Sequence, residues 1–76
     1  MLHLFLNVRD GKTLFVDPEG SSFPDVAAAQ AEASVALHEL VADRLESGEA
    51  PGPLQIEICD DTGSLLIVVS SRTLLN

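Results

Sequence analysis

Residues 24–48, PDVAAAQAEASVALHELVADRLESG, decide the fold of this chain. Asp25 is a short acceptor suited to a helix N-cap, and Gly48 suits the position just beyond a helix end. Alanine, leucine and glutamate, all strong helix formers, fill the space between. At about 100° per residue, Val26, Ala29, Ala33, Ala36, Leu37, Leu40 and Val41 fall within one sector. Glu32, Glu39, Asp43 and Glu46 fall on the far side. The spacing therefore predicts one amphipathic helix over 26–47 with an apolar stripe for packing on a sheet. Pro51-Gly52-Pro53 blocks its continuation.

Working outward, the sequence alternates on both sides of this helix. Leu2, Leu4, Leu6 and Val8 share one strand face, with His3, Phe5 and Asn7 on the other. A second run follows with Leu14 and Val16 opposed to Thr13 and Phe15. Matching residues by character favours a three-residue turn, Arg9-Asp10-Gly11, which pairs Leu6 with Leu14, Leu4 with Val16 and Phe5 with Phe15. A two-residue Asp-Gly loop would instead set Leu4 against Asp17. Asp17-Pro18-Glu19-Gly20 ends this hairpin as a turn, and Ser21-Ser22-Phe23-Pro24 leads into the helix.

After the helix, Leu54, Ile56 and Ile58 alternate with Gln55, Glu57 and Cys59. A four-residue loop, Asp60-Asp61-Thr62-Gly63, would pair Ile58 with Leu65, Ile56 with Ile67 and Leu54 with Val69. Leu65 to Val69 is apolar on both faces, as expected of a central or doubly covered strand. The order is ββαββ: an α+β fold with a four-stranded antiparallel sheet and one long helix packed across one face. No linker divides the chain, so residues 1–76 are expected to form one small domain. The uncovered face would carry Phe5 and Phe15 side by side with Leu66 and Val68, a candidate interface.

Composition narrows the function. A chain of 76 residues buries only roughly 60% of its unfolded surface and gains from disulfides, metal or oligomerisation. One cysteine forms no internal disulfide, and no Cys/His cluster has metal-ligand spacing, which leaves oligomerisation and points to a homodimer. The net charge is −8, with four basic residues scattered among twelve acidic ones, so nucleic acid and anionic membranes are excluded as partners. A basic protein partner fits that charge. The first ten residues lack the basic start and cleavage site of a secretory signal, and the lone thiol agrees with a cytoplasmic protein.

Chemistry is sparse. His3 and His38 have no partner at ligand or triad spacing, so each reads as an ordinary strand or helix residue. Cys59 precedes two aspartates, whose negative charge works against nucleophilic thiolate chemistry. Asp60 and Asp61 lack the alternating oxygens and closing glutamate of a calcium loop, and read as a turn. No nucleophile elbow and no glycine-rich phosphate loop occur. No catalytic, cofactor-binding or metal-binding residue is therefore assigned, and the chain is not expected to be an enzyme. An enzyme or small-ligand binder of this size would need a site between subunits lined by His3 or Cys59.

Phe5-x-x-x-Arg9-Asp10-Gly11, Asp17-x-x-Gly20, Pro24-Asp25 with Ala28, Ala31 and Ala33, and Ile56-x-Ile58-x-Asp60-x-x-Gly63 together resemble a family of short uncharacterised proteobacterial proteins, catalogued as a domain of unknown function. The resemblance runs from Phe5 to about Val69 and implies a stand-alone bacterial cytosolic protein with no assigned catalytic residues. In outline, Phe23-Pro24-Asp25 and the helix from Val26 also resemble HicB-type antitoxin domains. That likeness implies an antitoxin-like neutraliser of a basic partner as the alternative to a homo-oligomeric interaction or regulatory module.

Overall fold

A computed structural model describes residues 1–50 and 52–71. The Pro51 part of the Pro51-Gly52-Pro53 stop, and Arg72 among the four basic residues, lie outside the described residues. In chain order the elements are β1 (Leu2–Asp10), β2 (Thr13–Phe15), β3 (Ser21–Phe23), α1 (Val26–Glu46), β4 (Leu54–Cys59) and β5 (Leu65–Ser70). One antiparallel sheet runs β2-β1-β4-β5, with β3 beside β1 on the same edge as β2, and α1 lies across one face. The fold is α+β as expected, with five strands rather than four.

The helix follows its sequence signals. The Asp25 side chain accepts from the Ala28 N–H at 2.8 Å, so the cap works as the residue type predicts. At the other end the Glu49 N–H reaches the Arg44 carbonyl and the Gly48 N–H reaches the Leu45 carbonyl, a Schellman motif that satisfies the last orphan acceptors. Ala29, Ala33, Leu37 and Val41 are buried, and Val26, Ala36 and Leu40 pack around them. Alanine at 29 and 33 lets the helix approach closely, so Leu4, Ile56 and Ile58 fill the space beneath. Leu54 and Val69 complete the core.

The first hairpin departs from the expected register. Val8 pairs with Phe15, Arg9 with Leu14 and Asp10 with Thr13, which leaves a two-residue Gly11-Lys12 loop instead of the three-residue turn. Gly11 has φ +60° and Lys12 does not share the positive φ, the pattern of a type II′ turn with glycine first. That turn matches the strand twist, so it sets the register over the closer match in side-chain character. Arg9 and Asp10 are thus strand residues. Phe15 shares the face of Val8 and Ile56, on the helix side, and does not lie beside Phe5.

Nor does Asp17-Pro18-Glu19-Gly20 end the sheet. Beyond it, β3 returns to β1 with Leu4 opposite Ser21 and Leu2 opposite Phe23. Between the two pairings β1 advances four residues while its edge partner advances six, so residues 16–20 bulge outward. Asp17 repairs the interrupted ladder: its carboxylate accepts the Leu6 N–H at 3.3 Å and the Gly20 N–H at 3.1 Å. The Asn7 side chain in turn accepts the Asp17 N–H at 2.9 Å. Side chains here replace the backbone partners that a regular strand would supply.

The second hairpin is also offset. Ile56 pairs with Val69 and Ile58 with Ile67, two residues from the expected register, with a bulge between Ile58 and Cys59. The offset is even up to the bulge, so Ile67 and Val69 still face the helix and Val68 the open side; beyond it Leu65 pairs with Cys59, and Leu66 is the extra residue between. Asp60 explains the longer loop. Its side chain accepts the N–H groups of Thr62 and Ser64, and its own N–H donates to the Ser64 carbonyl. Among the described residues β5 is an edge strand of the sheet, not the central or doubly covered strand its double apolarity suggested.

Candidate functional site

The uncovered face is assembled from alternate residues of four strands. His3, Phe5, Asn7 and Arg9 come from β1, Leu14 from β2, Gln55, Glu57 and Cys59 from β4, and Leu66 and Val68 from β5. Its centre is polar and tied together. Arg9 Nε donates to Glu57 Oε2 at 2.5 Å, and Gln55 Nε2 donates to the same oxygen at 3.1 Å. The Arg9 guanidinium holds the Glu57 carboxyl below the ordinary carboxylate value, partial burial opposes this, and the Gln55 amide assists. The same pairing raises Arg9. A second ion pair, Arg44 to Asp10 at 2.5 Å, fastens the end of α1 to the end of β1.

One end of the face holds a shallow depression of about 330 Å³, bordered by Phe5, Asn7, Asp17, Cys59, Asp60 and Asp61. Asn7 Nδ2 donates to Cys59 Sγ at 3.8 Å, a weak contact. Asp60 is committed to its loop: the Thr62 hydroxyl at 2.6 Å and the Ser64 N–H keep its carboxyl below the usual range. His3 spends its Nε2 on the Glu19 carbonyl at 2.7 Å and its ring on an edge contact with Phe5. His38 is exposed on α1, with Nδ1 at 2.9 Å from the Ser34 carbonyl. Among the described residues no group of three or more His, Cys, Asp or Glu is placed to hold a metal ion.

The four residues of the expected interface therefore separate. Phe5 lies on the open face at the depression, and Leu66 and Val68 lie on the same face along β5. Phe15 is 58% exposed on the opposite side of the sheet. Leu65, which sequence reasoning passed over, is 55% exposed, beside Leu66 at 43% and Val68 at 42%. The signal for it was present: Leu65 to Val69 is apolar on both faces, and at a sheet edge such a strand leaves apolar surface in water.

These features define a single-helix α+β sheet with one covered face, one open face and an apolar outer strand. The chain belongs to the domain-of-unknown-function family DUF6894, which it matches over residues 3–72. No curated protein and no solved structure matches it. The structure gives the motif residues local tasks: Arg9 and Asp10 each hold an ion pair, Gly11 forms the turn, Asp17 and Gly20 shape the bulge, Asp25 caps the helix and Asp60 closes the second loop. Among the described residues no helix is long and apolar enough to cross a membrane.

Proposed function

We propose that the protein is a non-catalytic interaction module that acts as a homodimer in the bacterial cytoplasm. The observation that carries this is the exposed apolar run Leu65, Leu66 and Val68 on one strand of a domain whose own core is small. Covering that run supplies burial that 76 residues do not provide internally. Sedimentation velocity over a dilution series tests it. A dimer at micromolar concentration is expected; a monomer at the highest concentration reached refutes it.

A second reading draws on the outer surface of α1, where Glu32, Glu39, Asp43 and Glu46 are all exposed. That acidic stripe suits a basic protein partner, in the manner of an antitoxin-like neutraliser. The discriminating experiment is a pull-down from its own host for a small basic protein, followed by titration with it in low and high salt. Binding that weakens with salt and with Glu39→Lys plus Asp43→Lys supports this reading; no binding removes it.

A further inference from the structure

We infer that two copies join edge to edge through β5, antiparallel and centred on Ile67, into one continuous sheet. This inference rests on the homodimer reading and adds the surface and register to it.

The two edges of the sheet are built differently. On one side β2 and β3 are three residues each, separated by a bulge that carries Asp17, Pro18 and Glu19 outward. Short strands, a bulge, proline and charge are the devices that keep an edge from pairing with another chain. On the other side, Leu65–Ser70 is six residues long with no charge, no proline and no glycine; it carries one bulge, at Leu66, and among the described residues it has one strand neighbour, β4. Where one edge is blocked and the other is left open, the open one is the docking edge.

Charge selects the occupant. Each copy carries −8, so two copies repel wherever their acidic surfaces meet. β5 brings them together along a charge-free strand. The strand also complements itself. Centred on Ile67, Leu66 comes opposite Val68 of the second copy and Leu65 comes opposite its Val69, so every pair is apolar. Centring one residue later, on Val68, would oppose Leu66 to Ser70. In the Ile67 register the twofold axis stands perpendicular to the sheet. Both helices then lie on one side and both open faces form one surface on the other. The exposed Leu65, Leu66 and Val68 gather at the seam.

Two double variants test the register by sedimentation. Leu66→Lys with Val68→Lys sets like charges opposite each other twice, and should weaken association by about tenfold or more. Leu66→Lys with Val68→Glu carries the same polar burden but sets opposite charges face to face, and should remain dimeric. All four substitutions lie at solvent-exposed positions, and circular dichroism verifies that both variants fold. If the Lys/Lys variant associates like the parent, the edge inference fails and the homodimer reading stands. If both variants are monomeric, the Ile67-centred register fails. If the parent chain is itself monomeric, the homodimer reading fails. Amide hydrogen exchange on the unmodified chain gives an independent measure: amides within Leu65–Val69 should exchange more slowly as concentration rises. Exchange there that ignores concentration overturns the inference.

Discussion

Replacing Gly20 by alanine tests whether the bulge is a built part of the sheet. Gly20 has φ +68°, and a Cβ there would lie 2.8 Å from the Leu4 carbonyl oxygen. His3 Nε2 and Phe5 Cδ2 would each lie 2.9 Å away. The imidazole can swing aside, but Leu4 is 2% exposed, pairs with Ser21 and anchors the core, so its carbonyl cannot. Gly11 is the internal control: it has φ +60°, and a methyl group added there would meet nothing within 4 Å. Both substitutions carry a left-handed backbone penalty of about 1–2 kcal/mol. Gly20→Ala adds a steric cost of about 1–3 kcal/mol, typical of forcing an extra carbon into a packed site. Urea denaturation at one fixed protein concentration reads both values, since association makes apparent stability concentration-dependent. In thermal melts the gap between the variants should be at least about 4 °C for a domain of this size. Equal destabilisation of the two variants would refute the close-approach argument and leave only the φ term.

Other parts of the structure give further expectations. Asp17→Ala leaves the Leu6 and Gly20 N–H groups without their acceptor and should cost about 1–3 kcal/mol by chemical denaturation. Leu37→Ala opens a cavity beneath the helix at a fully buried position and should cost about 2–5 kcal/mol, enough to unfold much of a domain with a core this small. For pH, Glu57 is held below its unfolded value by Arg9, so its contribution is fully present above the ordinary carboxylate value of 4.5 and is lost as pH falls through the lowered one. Glu57→Gln should therefore show a smaller loss of melting temperature between about pH 5 and pH 3 than the parent chain. An unchanged slope would show that the pair contributes nothing to acid sensitivity.

The helix and the strand faces were legible in the sequence because each is written in a local period. Asp25, Gly48 and the stripe from Val26 to Val41 sit where 3.6-residue spacing puts them, and Leu4, Ile56, Ile58 and Val69 all reach the core by alternation. Pairing registers were harder, since matching side-chain character assumes uninterrupted strands. The Asp17 bulge breaks that assumption by satisfying Leu6 through a side chain, and β3 becomes possible only beyond it. A type II′ turn at Gly11-Lys12 then sets Leu14 against Arg9, a pair no character match would select. Arg9 instead finds its counter-charge one strand further in, on Glu57. In the second hairpin a slip of two residues keeps Val68 opposite Glu57 on the open side, whereas the first hairpin slips by an odd number and carries Phe15 across.

The central pair of the sheet, β1 with β4, comes from opposite ends of the chain, with α1 spanning the interval. Neither sequence half is a self-sufficient unit. Cleavage of the connection between Ala50 and Leu54 would leave an amino-terminal piece holding the helix and an open β1 flank, and a carboxy-terminal hairpin with no layer to lie on. Each fragment presents the groups the other lacks, from Phe5 opposite Cys59 to Asp10 opposite Leu54. Rejoining the two pieces would restore that six-residue seam together with the packing of α1 on β4 and β5, the form of a split reporter read out by mixing.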